Sequence, residues 1–207
     1  MERDVAQARM REVQRIMERT TLYTLLPGTP AVIGGVMALA GCVASYAMIK
    51  SLDFADVLAL SFEAQIGFCI MWTVIGVVAV TQEILLTARA ARLAGVSPTA
   101  RPARFAAFSL SPSVAVAMIL TAVFLHDGNM HYIAPVWMMC YGTGVYAAGL
   151  FSLRLPRLLG LAFIAMGAVG LLLLPQYGVL LAAVSFGLLH IVFGVVVLAR
   201  SRQSSLI

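Results

Sequence analysis

Residues 158–199 read LLGLAFIAMGAVGLLLLPQYGVLLAAVSFGLLHIVFGVVVLA, forty-two positions without an Asp, Glu, Lys or Arg. The hydrocarbon of a bilayer is about 30 Å thick and an α-helix rises about 1.5 Å per residue, so one crossing takes about 20 residues. The run therefore holds two crossings, and Pro175, Gln176, Tyr177 and Gly178 divide it near the middle. Proline removes a backbone donor and glycine admits a tight reversal, so the interruption reads as a turn between two membrane helices.

The same measure applied outward finds uncharged stretches at 27–49, 64–82, 105–126 and 128–153. Six helices follow, at approximately 28–49, 63–87, 106–125, 132–153, 158–174 and 178–199. The 207 residues are 61% apolar and 11% charged, with a mean hydropathy of +0.96, whereas soluble domains run near 45–50% apolar and about 25% charged. The expected fold class is all-α: a polytopic membrane protein with six transmembrane helices in three hairpins over 27–207, preceded by an amphipathic cytoplasmic helix over 1–26.

Charge supports this count by position. Thirteen arginines fall before the first helix (Arg3, Arg9, Arg11, Arg15, Arg19), between the second and third (Arg89, Arg92, Arg101, Arg104), after the fourth (Arg154, Arg157) and after the sixth (Arg200, Arg202). Six crossings place all of them on one side, with Lys50 alone on the other, and the positive-inside rule then makes both termini cytoplasmic. Five or seven crossings scatter them. The net charge of +5 is thus a topological label, and no nucleic acid partner is implied. The Arg, Ala and Gly usage fits a GC-rich bacterial genome, which makes the bacterial inner membrane the expected location.

In the N-terminal segment Ala6, Met10, Val13, Met17 and Thr20 recur at spacings of four and three and share one helical face. Nine charges among the first twenty residues, followed by a run long enough to span, argue against a cleaved signal. The segment reads as a helix on the inner leaflet, or alternatively as a dimerising or partner-binding helix. Leu39-Ala40-Gly41-Cys42 matches a lipobox, but about forty residues precede the Cys and apolar sequence continues to Ile49, unlike a lipoprotein signal. Cys42, Cys69 and Cys140 all fall in expected crossings and form no CxxC pair, so they imply neither a disulfide framework nor a zinc site.

At an offset of 45 the chain partly repeats: Tyr141-Gly142 falls on Phe186-Gly187 and Gly149 on Gly194, each copy then leaving through an arginine-marked exit. Residues seven apart share a helix face, and glycines there let backbones approach. The links at 154–157 and 175–177 are short, so helices four, five and six are expected to be antiparallel neighbours. The stretch HYIAPVWMMCYGTGVYAAGLFSLRLPRLLG at 131–160, then QYGVLLAAVSFGLLHIVFGVV at 176–196, resembles the C-terminal half of an uncharacterised family of small bacterial six-helix membrane proteins, with a weaker echo in IMERTTLYTLLPG at 16–28. The three-hairpin layout is also similar, more remotely, to acid-resistance membrane proteins of the HdeD type. Neither resemblance carries a catalytic or binding residue onto this chain.

Ionisable and polar groups at membrane depth are the functional candidates, because burying them is expensive. His190 falls within about 3 Å of the bilayer centre in a helix over 178–199. Its imidazole needs partners there, and Ser185, Tyr141, Tyr146 and Thr143 are the available ones if helices four and six touch. The pattern reads either as a hydrogen-bonded packing lock or as a proton-linked or ligand-contacting site. Haem ligation is disfavoured because His126 and His131 sit at the outer loop; together with Asp127 they could at most hold a metal weakly, and a solvated loop is the simpler reading. Glu83 lies about 11 Å from the centre of helix two, near the cytoplasmic interface, with Gln82 beside it and Arg89 beyond. Glu63 and Gln65 mirror it at the outer end, near Lys50. Helix three contains Pro112, with only fourteen residues from there to Leu125, so either it kinks or a short interfacial segment precedes a short crossing. Tyr132 and Trp137 suit an outer aromatic belt.

HExxH, G-x-S-x-G, P-loop and dinucleotide patterns are absent, and no paired carboxylates lie at depth. The expected function is a non-catalytic inner-membrane protein, an accessory, stress-related or structural component acting without a cofactor, whose partners are the bilayer and either a second copy or another membrane protein. The alternatives are a small permease or channel with a proton-linked path near His190, and a quinone- or haem-binding protein.

Overall fold

The computed structural model describes residues 28–93, 101–150 and 154–204, together with Arg9, Gly95 and Ser97. The amphipathic helix expected over 1–26 lies outside the described residues except for Arg9. Among the described residues every regular element is helical. In chain order they are α1 (Gly28–Ile49), α2 (Phe62–Leu93), α3 (Arg101–His126), α4 (Ile133–Leu150), α5 (Arg154–Leu173) and α6 over 178–204. Short 3-10 turns at Phe54–Ala59, Met130–Tyr132 and Pro175–Tyr177 link α1 to α2, α3 to α4 and α5 to α6.

Five stretches are long and apolar enough to cross a membrane: Gly28–Ile49, Phe62–Leu93, Ala107–His126, Arg154–Leu173 and Pro175–Ser201. The chain is thus compatible with a membrane protein. Exposure agrees with hydropathy, since Val77, Ile84 and Leu85 on α2 and Met118 and Ile119 on α3 each have about 60% or more of their surface open. In water such a contiguous apolar surface would drive association; against lipid it is the expected face.

Helix lengths depart from the expected crossings at the charged ends. The second was expected over 63–87, but α2 continues to Leu93 through Arg89 and Arg92, since Ala, Arg and Leu carry good helix propensity. Gly95, in the left-handed region at φ +71°, then turns the chain, its N–H on Arg92 O at 3.1 Å. Likewise α5 begins at Arg154, before the expected 158, with Pro156 in its first turn, where a missing N–H is harmless. The third helix neither splits nor starts at Pro112: α3 runs from Arg101 to His126 with Pro112 inside it.

The packing order also corrects the expectation of three sequential neighbours. The most extensive contact is α4 on α5, but α6 lays most of its surface on α1 and touches α5 lightly. Glycines explain the pairing. A Cβ on Gly142 would lie 2.7 Å from Gly160 O, and a Cβ on Gly35 would lie 2.6 Å from Gly187 O, so in both pairs backbone meets backbone. The remaining helices are peripheral, α2 resting on α1 and α3 on α4. Their cross-links are polar: Trp72 Nε1–H donates to the buried Ser45 Oγ at 3.0 Å, and Trp137 Nε1–H donates to Thr121 Oγ1 at 2.8 Å.

The connection after α1 forms a plug. Asp53 accepts the Ala55 N–H at 2.9 Å, starting the 3-10 turn, and Phe54 and Val57 point inward beside Met130 and Val179. Phe54 meets Phe68 and Trp72 edge-on at 5.8 and 6.0 Å. Gln65 Nε2 donates to Leu58 O and Leu60 O, and Val179 N–H to Leu52 O, tying the plug to α2 and α6.

Candidate functional site

The middle of α6 is built differently from the other helices. It begins as an α-helix, Gly178–Ala182, widens to a π-helix over Ala183–Leu189 and resumes as an α-helix, His190–Ser204. Such i to i+5 turns recur at functional sites. Ser185, fully buried, donates its hydroxyl to Leu181 O at 2.7 Å, a back-bond of the kind that loosens the helical ladder. Gly187 faces α1 three residues before His190, where a Cβ would run into Leu39. The widened turn carries the chain from that contact to the side where α4 and α5 wait.

His190 sits in a box of rings. Its Nε2 is 2.8 Å from Tyr141 Oη, and its ring centroid is 5.3 Å from Tyr141, 5.2 Å from Phe163 and 6.1 Å from Phe186, the last nearly parallel at 14°. Phe163 is fully buried and stands 5.1 Å from Tyr141 and 5.0 Å from Phe186. Three helices thus contribute one cluster: Tyr141 from α4, Phe163 from α5, Phe186 and His190 from α6.

Nδ1 is buried without a hydrogen-bond partner. The Tyr141–His190 bond has two senses, Oη–H donating to Nε2 or Nε2–H donating to Oη, and the tautomer of the imidazole decides between them.

Of the other sequence candidates, Ser185 serves its own helix, and Tyr146 lies on the α4–α5 contact, its backbone against Gly160. Thr143, on an exposed position, donates to Met139 O at 2.8 Å. Glu83 is exposed on α2 and takes a long 3.4 Å bond from Thr87 Oγ1. Its neighbour Gln82 reaches α1, donating Nε2–H to Pro30 O at 3.1 Å, while its buried Oε1 has no partner. Sequence reading missed Phe163 and Phe186 as the walls of the box. The spacing of four between Phe186 and His190 was the available signal for one wall, whereas nothing local pointed to Phe163.

His126 Nδ1 and Asp127 Oδ1 pair at 2.8 Å and His131 packs on Tyr132 at 4.0 Å, but among the described residues no group of three metal-binding side chains gathers. Neither the surface cleft along α2 nor the one beside Lys50 is lined by His190 or Tyr141. No family model, curated protein or solved structure matches the chain.

Proposed function

We propose that the chain is a six-crossing integral protein of the bacterial inner membrane, in three consecutive hairpins with both termini cytoplasmic, and that it acts as an accessory, stress-related or structural membrane component without catalysis of its own. The sixth crossing is α4. At 18 residues it is about 27 Å long, close to the hydrocarbon thickness, and it carries Trp137, Tyr141, Thr143, Tyr146 and three glycines among its apolar residues. Counting α4 returns all thirteen arginines to one face. A reporter joined after Arg202 is expected to be cytoplasmic, and one joined at Gln176 is expected on the opposite side; a periplasmic report at Arg202 overturns the topology.

The observation that carries the functional reading is where the deep polar groups point. His190 bonds Tyr141 among three surrounding rings, Trp72 bonds Ser45 and Trp137 bonds Thr121, while Phe54, Val57 and Met130 pack one end of the core. Such satisfied internal bonds favour a specific helix arrangement over a conduit. The purified protein in liposomes is expected to add no proton flux above protein-free vesicles. A flux abolished by His190→Ala would instead establish a permease with a proton-linked path. That second reading draws support from the buried, unpartnered Nδ1 of His190.

A further inference from the structure

Where α1 ends and α6 begins, the 3-10 plug leaves an open cleft of about 720 Å3 whose lining includes Tyr46, Lys50, Asp53, Asp56, Gln176 and Tyr177. The cleft is held in shape from beneath: Phe54 and Val57 are buried, Val179 N–H bonds Leu52 O at 2.9 Å, and Asp53 N–H bonds Ser51 Oγ at 3.1 Å. It therefore needs little ordering to receive a ligand. It holds one cation and two carboxylates, yet among the described residues no ion pair joins Lys50 to Asp53 or Asp56. Lys50 is the chain's sole lysine.

We propose that this cleft binds the headgroup of a zwitterionic phospholipid with a primary ammonium, the phosphate on Lys50 and the ammonium between Asp53 and Asp56. The proposal rests on the membrane reading above. Both signs of charge are needed: two carboxylates beside one lysine disfavour a headgroup with net negative charge, and a phosphate ester alone would leave the acids unmatched. A quaternary ammonium lacks the N–H donors that carboxylates accept, so the ethanolamine type fits better than the choline type. The apolar surface beside the cleft favours a lipid over a free solute. Val43 lies one turn below Tyr46 on α1 and is 70% exposed, and Leu180 lies one turn inside Tyr177 on α6 and is 49% exposed. Acyl chains hanging from the headgroup meet these walls, with the two phenols at the interface where tyrosines are favoured.

The test is native mass spectrometry of the full chain extracted from vesicles with equal phosphatidylethanolamine, phosphatidylcholine and phosphatidylglycerol. The ethanolamine lipid is expected to be retained preferentially. Asp56→Asn should lower that retention on the order of tenfold and erase the preference over choline, while Lys50→Gln should weaken both zwitterionic lipids together. Both side chains are exposed, so neither change threatens the fold, and an unchanged melting temperature checks this. Equal retention of the three lipids, or a preference that survives Asp56→Asn, overturns the proposal. Displacement by millimolar soluble phosphoethanolamine would assign the cleft to a free solute instead. Failure of the topology experiment at Gln176 would be a failure of the membrane reading, and lipid retention without selectivity would be a failure of this site alone.

Discussion

Gly160→Ala is expected to destabilise the bundle by about 2–3 kcal/mol, the upper part of the range for overpacking a close-packed interior. A Cβ there would lie 2.6 Å from Tyr146 N and 2.7 Å from Gly142 O, both backbone atoms of α4. Backbone cannot swing aside as a side chain can, so relief requires moving α4 from α5, along the most extensive contact in the molecule. Gly187→Ala supplies the graded comparison, because its nearest obstacle is the end of the Leu39 side chain at 2.5 Å; a rotamer change softens the clash, and a smaller loss follows. Gly67→Ala and Gly76→Ala are the opposite case: nothing lies within 4 Å of either Cβ position, and replacing a mid-helix glycine removes an entropic penalty of about 0.5–1 kcal/mol. Thermal unfolding in one detergent, followed by helical circular dichroism, ranks the four variants. A Gly160→Ala protein that melts with the wild type would show that α4 and α5 do not pack as described.

That ranking also shows which parts of the fold could be read from residues alone. The expected first crossing, 28–49, coincides with α1, because Pro30 suits its first turn and Lys50, with φ at +52°, ends it. Glycine spacing of seven flagged faces of close approach on α4 and α6, but not their partners. Gly142 and Gly187 look alike in sequence, yet one meets α5 and the other meets α1. Pairing depends on shape complementarity summed over whole faces, which local spacing does not contain. The plug was missed for another reason. Leu52 to Leu60 reads as a short polar-punctuated loop, and only the folded bundle reveals that Phe54 and Val57 have an unfilled end of the core to enter. At the candidate site the depth of His190 followed from counting rise per residue, and its meeting with Tyr141 required that α4 and α6 touch. The π-helical turn had no sequence signal beyond Ser185, whose back-bond to Leu181 O is an ordinary habit of buried serines in membrane helices.

His190→Ala is expected to lower stability by about 3 kcal/mol, combining a cavity among Tyr141, Phe163 and Phe186 with a buried phenol left without its partner. Tyr141→Phe removes only the hydroxyl, so about 1–2 kcal/mol is expected from the unpaired imidazole. The informative variant is the pair Tyr141→Phe with His190→Phe. Removing both partners and keeping both ring shapes leaves no orphaned polar group, and such replacements of a satisfied buried bond are often close to neutral. The double variant is therefore expected within about 1 kcal/mol of the wild type, and Tyr141→Phe alone and His190→Phe alone should each be worse than the two together, a coupling that only contacting residues show. Strict additivity of the Tyr141→Phe and His190→Phe losses would sink the assignment of the 2.8 Å bond. The same variant separates the functional readings, because a phenylalanine pair preserves a packing lock and cannot carry a proton. A host strain in which the double-Phe protein replaces the wild type without loss places the role of His190 in packing. Retained stability with lost function would place it in proton-linked work.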